Sequence, residues 1–333
     1  MHAIVSAGRE GELTVIQKRV GYLKPGNEFR DWLAEILADR LCNRNCTVQV
    51  YRIAPASHVV CRYELVGEGF SVVAKFFGEP TGAISLYDPE KAMRNEYHRL
   101  SYAGERIHVP RPLAMRSDYH AVLVTEYIDG TPLHDILKTE RRLYSRLTEV
   151  ARLLKQLHGT TRRYCNRERE FAYFHKLLDQ NGFSKSHREQ FNRLLGEWWY
   201  SPRIDPDTGC MIHGDATPAN YIYSHGKVYA IDFESAWRHS HPMHDLGVLC
   251  AEMKAFFMRA RGDGRAAEPY IGHLLWQYSN RDEGEFHRNI GVLPFFMALG
   301  YMRISRLPWR KAEHDYLLRE AEACLNAVSS QRG

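Results

Sequence analysis

The chain has no run of apolar residues long enough to cross a bilayer. Its most membrane-like stretch, Ile290 to Leu307, is interrupted by Pro294, Gly300, Arg303 and Arg306 and reads as a buried helix. Its seven cysteines (Cys42, Cys46, Cys61, Cys165, Cys210, Cys250 and Cys324) include no CxxC pair and no regular spacing. That excludes a disulfide framework read from spacing and fits reduced thiols. The N-terminus, MHAIVSAGREGELTVIQKRV, lacks the apolar core of a signal peptide and meets Arg9 and Glu10 early, so a cytoplasmic location is expected. Excess charge is also scarce. The 45 Lys and Arg against 40 Asp and Glu leave a net charge of +5, dispersed along the chain, so no nucleic-acid partner is implied.

What is present suits a folded protein of two domains, or of one domain with two lobes. The chain has 333 residues, of which 44% are hydrophobic and 26% charged, and these proportions point away from wholesale disorder. Residues 28 to 42 place Phe29, Leu33, Ile36, Leu37 and Leu41 at helical spacing, which predicts a leading amphipathic helix and a helical N-terminal extension over residues 1–44. The period then changes. Val48 to Ile53, Val59 to Val66 and Ser71 to Phe77 read as strands, with Gly67-Glu68-Gly69 as a tight turn. A polar break from Gly78 to Asp88 leads to a helix carrying Met93, Tyr97 and Leu100 and stopping at Gly104, and two more strands follow up to Glu126. The predicted class is α+β, with a small antiparallel sheet lobe over residues 45–128 and a larger, mostly helical lobe over 129–333.

Within the second half, residues 213–234 carry the strongest chemical signal. His213-Gly214-Asp215 is followed five residues later by Asn220 and then, after a hairpin turning at His225-Gly226, by Ile231-Asp232-Phe233-Glu234. An aspartate able to accept a hydroxyl proton, an asparagine a short loop on, and a second aspartate at a strand end form a phosphoryl-transfer pattern. Asn220 and Asp232 are the candidate ligands of Mg, since both offer the hard oxygens that magnesium prefers beside phosphates. The alternative for each residue is structural: a loop aspartate, a turn asparagine, a strand-end cap.

HGDATPAN at 213–220, IDFE at 231–234 and HPMHDLG at 241–247 resemble the protein-kinase-like fold, and within it the aminoglycoside phosphotransferase and choline kinase group. The resemblance implies a bilobal fold in which ATP and one or two magnesium ions meet a small-molecule alcohol and the γ-phosphoryl group passes to its hydroxyl. It assigns Asp215 as the catalytic base, His213 as a scaffold for the metal loop, and Asp245 as a buried structural carboxylate. It also implies that Lys75, at the end of SVVAKF, reaches the α- and β-phosphates and is positioned by Glu96, with Glu90 the alternative. Glu126 to Ile128 would be the hinge that bonds the adenine edge, with Val73 and Ile231 against its faces. No GxGxxG stands between the first two strands, so the amides of Ala56 to His58 and the Ser57 hydroxyl are the candidate phosphate nest.

Two departures from regulated protein kinases stand out. Gly214 occupies the position of their usual arginine, and only a short path separates Asp232 from His244-Asp245, with no Ala-Pro-Glu block after it. Together they argue for a small-molecule acceptor, although a protein kinase or a catalytically silent nucleotide-binding module stays open. Glu234 and Glu252 could line an acidic acceptor pocket, whereas Trp237, Phe256, Phe257 and Tyr301 are candidates for an aromatic cage around a choline-like group. His239, His241 and His244 crowd one loop without a fourth ligand, and they read as solvated or substrate-facing rather than as a zinc site. Trp198-Trp199-Tyr200 reads as core packing at a helix end.

Overall fold

The computed structural model describes residues 16–81, 87–159, 164–204 and 208–328. By their contacts these divide into two units, one running to Glu105 and resuming over Val109–Asp129, the other made of Arg106–His108 and the chain from Gly130 onward.

The first unit is a six-stranded antiparallel sheet with two helices. Strands β1 (Ile16–Leu23), β2 (Val48–Ala54), β3 (His58–Leu65), β4 (Ser71–Pro80), β5 (Pro112–Arg116) and β6 (Val122–Glu126) lie in the order β1-β2-β3-β4-β6-β5. Helix α1 (Glu28–Ile36) starts where the Asn27 side chain accepts from Arg30 N, and it sends Leu33 into a core with Val48, Val50, Tyr63, Val72, Ala74, Val122 and Val124. Helix α2 (Pro89–Gly104) starts with Pro89 and a cap in which Asp88 accepts from Lys91 N at 3.0 Å. Met93, Glu96, Leu100 and Ala103 form its buried stripe at three- and four-residue spacing.

The predicted N-terminal extension is corrected here. Among its described residues, Ile16–Leu23 is a strand, registered Ile16↔Ala54 to Leu23↔Val48 on β2, and α1 packs into the same core, so this segment belongs to the sheet. The helix also ends at Ile36 rather than continuing to residue 42. β1 escaped the sequence reading because most of its residues face solvent, so no alternation of apolar and polar residues marks it. The polar break predicted at Gly78 to Asp88 lies in part outside the described residues.

The second unit is mainly helical. A short strand β7 (Thr131–Pro132) precedes α3 (Leu133–Thr139), α4 (Leu143–Gly159), α5 (Arg167–Gln180) and α6 (Lys185–Trp199). Four strands follow, β8 (Cys210–Ile212), β9 (Tyr221–Ser224), β10 (Lys227–Ala230) and β11 (Trp237–Ser240), and then α7 (Met243–Arg261), α8 (Glu268–Tyr278), α9 (Glu283–Ser305) and α10 (His314–Asn326). β9 and β10 form the predicted hairpin, whose turn residues His225 and Gly226 both have positive φ, as a two-residue loop of this hand requires. Trp198 is fully buried and its Nε1–H donates to Leu325 O at 2.9 Å, whereas Tyr200 is exposed. No described helix is long and apolar enough to span a membrane.

Helices α7 and α9 cross in close contact. A Cβ on Gly247 would stand 2.4 Å from Phe296 Cβ, and one on Gly300 would stand 2.7 Å from Ala251 Cβ. Glycine at both positions lets the helix backbones approach closely, and it places Arg303, one turn beyond Gly300, at the loop that leaves β8. Gly300→Ala should therefore destabilise the protein by about 1–3 kcal/mol through overpacking. Urea unfolding checks this; a variant as stable as the parent would mean that the crossing yields at no cost.

Candidate active site

The second unit's candidate residues sit at strand ends, where chain direction changes. β8 ends at Ile212, directly before His213-Gly214-Asp215. A 3-10 turn over Pro218–Asn220 starts β9, and β10 ends at Ala230, just before Ile231-Asp232. Ile231 N donates to Asn220 O at 3.0 Å, which ties the asparagine turn to the loop carrying Asp232.

One buried carboxylate sets the loop's path. Asp245, in the first turn of α7, accepts from His213 N at 2.7 Å and from Gly214 N at 2.9 Å, and its Oδ2 lies 3.0 Å from His158 Nε2. Burial pushes this carboxyl up, but the hydrogen bond and charge of His158 outweigh burial, and its pKa lies at about 2. His213 is fully buried. Its Nε2 lies 2.8 Å from Ile231 O and its Nδ1 accepts from Asp215 N at 3.3 Å, an arrangement that the Nε2–H tautomer satisfies. Asp232 follows in the left-handed region at φ +62°, an uncommon conformation for a residue with a side chain.

Asp215 is held on both oxygens. Asn220 Nδ2 donates to Asp215 Oδ2 at 3.0 Å and to Asp215 O at 2.8 Å, while Arg303 Nη2 donates to Oδ1. Arg303 Nη1 also donates to Gly214 O at 3.2 Å. Burial raises the Asp215 carboxyl, yet the Arg303 guanidinium more than offsets it and holds the group below its ordinary value. Asn220 thus spends its Nδ2 on Asp215, which leaves its Oδ1 as a possible ligand. The carboxylate oxygens of Asp232 and Glu234 come within 4.8 Å of one another. This set of hard oxygens, without sulfur or imidazole, fits magnesium.

In the first unit, Lys75 Nζ and Glu96 Oε2 are 2.9 Å apart, with both residues buried. The pair arises because β4 turns Lys75 to the face opposite the α1 core while the stripe of α2 includes Glu96. Glu90 instead pairs with Arg94 on the exposed side of α2 at 3.5 Å. Ser57 is exposed in the β2–β3 turn, where its carbonyl accepts from Thr81 N at 3.0 Å. In the candidate hinge, Glu126 N donates to Arg111 O and Tyr127 N to Ser71 O, so two of the three amides are committed and Ile128 carries the third. The Glu126 carboxylate pairs with Arg40 and Arg111, each at 3.3 Å.

Several expectations change in the structure. Phe257 and Tyr301 are fully buried and Phe256 nearly so, which removes them from any exposed cage. Trp237 carries the Arg169 guanidinium 3.6 Å from its ring centre. The loop histidines also diverge. His239 Nδ1 lies near Tyr164 O, His241 Nδ1 accepts from Met243 N, and His244 Nδ1 lies 2.8 Å from the buried Glu170 carboxylate. Arg303 and His158 were missed as members of the site, since neither lies in a local motif. The only sequence cue to Arg303 was its place one helical turn after Gly300.

Gly214 acquires a steric meaning. Its φ is +77° and a Cβ there would lie 2.2 Å from Ser235 O, so this backbone has no room for an arginine. The short path after Asp232 is spent on β11, whose Trp237 and Ser240 pair with Ile212 and Cys210 of β8.

A model of the phosphotransferase enzyme family matches residues 62–286. Among solved structures, the chain is similar to a protein of Ralstonia eutropha JMP134 assigned as an aminoglycoside phosphotransferase, with 15% identity and a TM-score of 0.63 over 90% of this chain and 97% of that one. It is also similar to a choline/ethanolamine kinase family protein of Mesorhizobium loti, at 17% identity and a TM-score of 0.56 over 92% and 99% of the two chains. A third is wild-type aminoglycoside 2'-phosphotransferase-IIIa in its GDP complex, at 12% identity and a TM-score of 0.55 over 92% and 100%. No curated protein sequence matches the chain.

Two outcomes follow from this geometry. Gly214→Arg should cost stability and abolish turnover rather than create a phosphorylation-controlled enzyme; wild-type melting and activity in that variant would show that the loop adapts. The second concerns acid. Because the Asp245 carboxyl is depressed on folding, its contribution is fully present above about pH 4 and is lost as pH falls through 2. The loss is roughly 2–3 kcal/mol for a shift of this size. Urea titrations of wild type and Asp245→Asn across pH 5 to 1 should converge at the acid end, and a constant gap would refute the assignment.

Proposed function

Because the chain belongs to the phosphotransferase enzyme family, we propose that it transfers the γ-phosphoryl group of ATP to a hydroxyl of a small-molecule alcohol, with Mg as the required ion. Asp215 accepts the acceptor's hydroxyl proton while the new O–P bond forms and the bond from the γ-phosphorus to the bridging oxygen breaks, so that ADP leaves. The cluster of Asp215, Asn220 and Asp232 at three strand ends carries this reading.

Asn220 and Asp232, with Glu234 beside Asp232, would hold magnesium, which supplies charge neutralisation at the phosphates. Arg303 and Asn220 orient the base. Lys75, fixed by Glu96, is the ligand for the α- and β-phosphates. Ile128, with its amide, and Glu126, through its carbonyl, are the adenine contacts, and the exposed Ser57 turn is the phosphate nest. His213 and Asp245 are scaffolding. Seven cysteines without a CxxC pair suit a reducing, cytoplasmic setting.

The protein-kinase reading is disfavoured, because Gly214 admits no arginine and β11 consumes the segment that would carry a regulatory phosphate. Initial rates with ATP and a panel of alcohols, with and without magnesium, test the proposal. Asp215→Ala should lower kcat by about 10²–10⁴-fold, and Lys75→Met should mainly raise the KM for ATP. Undiminished transfer by Asp215→Ala, or transfer confined to protein hydroxyls, would sink it.

A further inference from the structure

Strand β3 sends Cys61, Tyr63 and Leu65 into the core with α1, so alternation puts Arg62 on the opposite face of the sheet. In register it stands beside Val73 of β4, which shares that face with Lys75 two residues on. A charged side chain in this row needs partners. Arg62 has them on its edges and over rings. Its Nε donates to Ser71 Oγ at 3.1 Å, Nη1 to Gln17 Oε1 at 3.2 Å and Nη2 to Glu64 Oε2 at 3.1 Å. Its Cζ stands 4.5 Å from the ring centre of Tyr127 and 5.2 Å from that of Tyr51.

Tyr127 is the central residue of the candidate hinge, and three holds converge on it. Its N donates to Ser71 O at 3.3 Å, its hydroxyl accepts from Gln17 Nε2 at 3.0 Å, and its ring carries the Arg62 guanidinium. Ser71 and Gln17 also bind Arg62, so the arginine closes a ring of contacts around the tyrosine. The other tether of the hinge is weaker. The Glu126 carboxylate pairs with Arg40 and Arg111, which are 37% and 61% exposed, where solvent screens the charges; Arg62 is 24% exposed.

The two peptide groups that flank Tyr127 carry Glu126 O and Ile128 N, the proposed adenine contacts. Each is planar, so fixing Tyr127 at its amide, ring and hydroxyl restricts the direction of both. A hinge ordered before the nucleotide arrives binds at a lower entropic cost. Building on the nucleotide-hinge reading, we propose that Arg62 is a positioning residue for recognition of the nucleobase, and that through Gln17 the edge strand β1 takes part in the same task.

Isothermal titration calorimetry of the full chain with the magnesium complexes of ADP and inosine diphosphate, whose bases differ at the edge that a hinge reads, tests this. The wild type should bind one of the two about tenfold more tightly. Arg62→Ala should weaken that nucleotide about tenfold and bring the ratio close to one. Arg62→Lys, which keeps a cation near the rings but loses the fork, should recover part of the ratio. An unchanged Kd in Arg62→Ala would overturn the proposal and leave the phosphotransferase reading intact. So would an equal loss for both nucleotides, which marks an arginine that merely supports the fold. A wild type indifferent to the base would remove the hinge reading and the proposal together, and one that binds neither nucleotide would overturn the phosphotransferase reading as well. Where Arg62→Ala fails to fold, Tyr127→Leu removes the stacked ring while sparing the three hydrogen bonds of Arg62, and the same narrowing of the ratio decides.

Discussion

The second unit depends on a single buried carboxylate that accepts two consecutive backbone amides. Asp245 takes the N–H groups of His213 and Gly214, and so sets the direction in which the chain leaves β8. Buried amides must find acceptors, and an ionised one in a medium of low dielectric makes the stronger bond. Its effects pass along the loop. The His213 ring reaches back to Asp215 N and across to Ile231 O, and the next residue, Asp232, takes up its left-handed conformation. One side chain at the start of α7 thereby relates the candidate base to the candidate metal ligand.

A second constraint comes from packing. Gly247 and Gly300 remove the side chains that would separate α7 from α9, and the close approach turns Arg303 onto Asp215. Burying a guanidinium is expensive unless it is paired and hydrogen-bonded, and here it has both a carboxylate and a carbonyl.

Much of this was legible from local pattern. Strand and helix periods found the β2–β3–β4–α2–β5–β6 series, and the turn residues found the β9–β10 hairpin, since alternation and three- or four-residue spacing are local properties. The spacing of Asp215, Asn220 and Asp232 was enough to mark them, because each lies within a few residues of a strand end. β1 was not legible: an edge strand buries little and writes no apolar pattern. The aromatic candidates failed for the opposite reason. Trp237, Phe256, Phe257 and Tyr301 look alike as residue types, and only packing separates the buried rings from one stacked under an arginine.

The sequence by itself determined the reaction type, because phosphoryl transfer needs a base and hard oxygen ligands at short, fixed separations along a loop and hairpin. It also determined that Gly214 carries no arginine. Only the tertiary structure decided why: a left-handed backbone held against Ser235 O admits no side chain there. It alone decided the company of the candidate base as well. Arg303 lies 88 residues from Asp215, and no local spacing reports a contact made by two helices crossing at a pair of glycines.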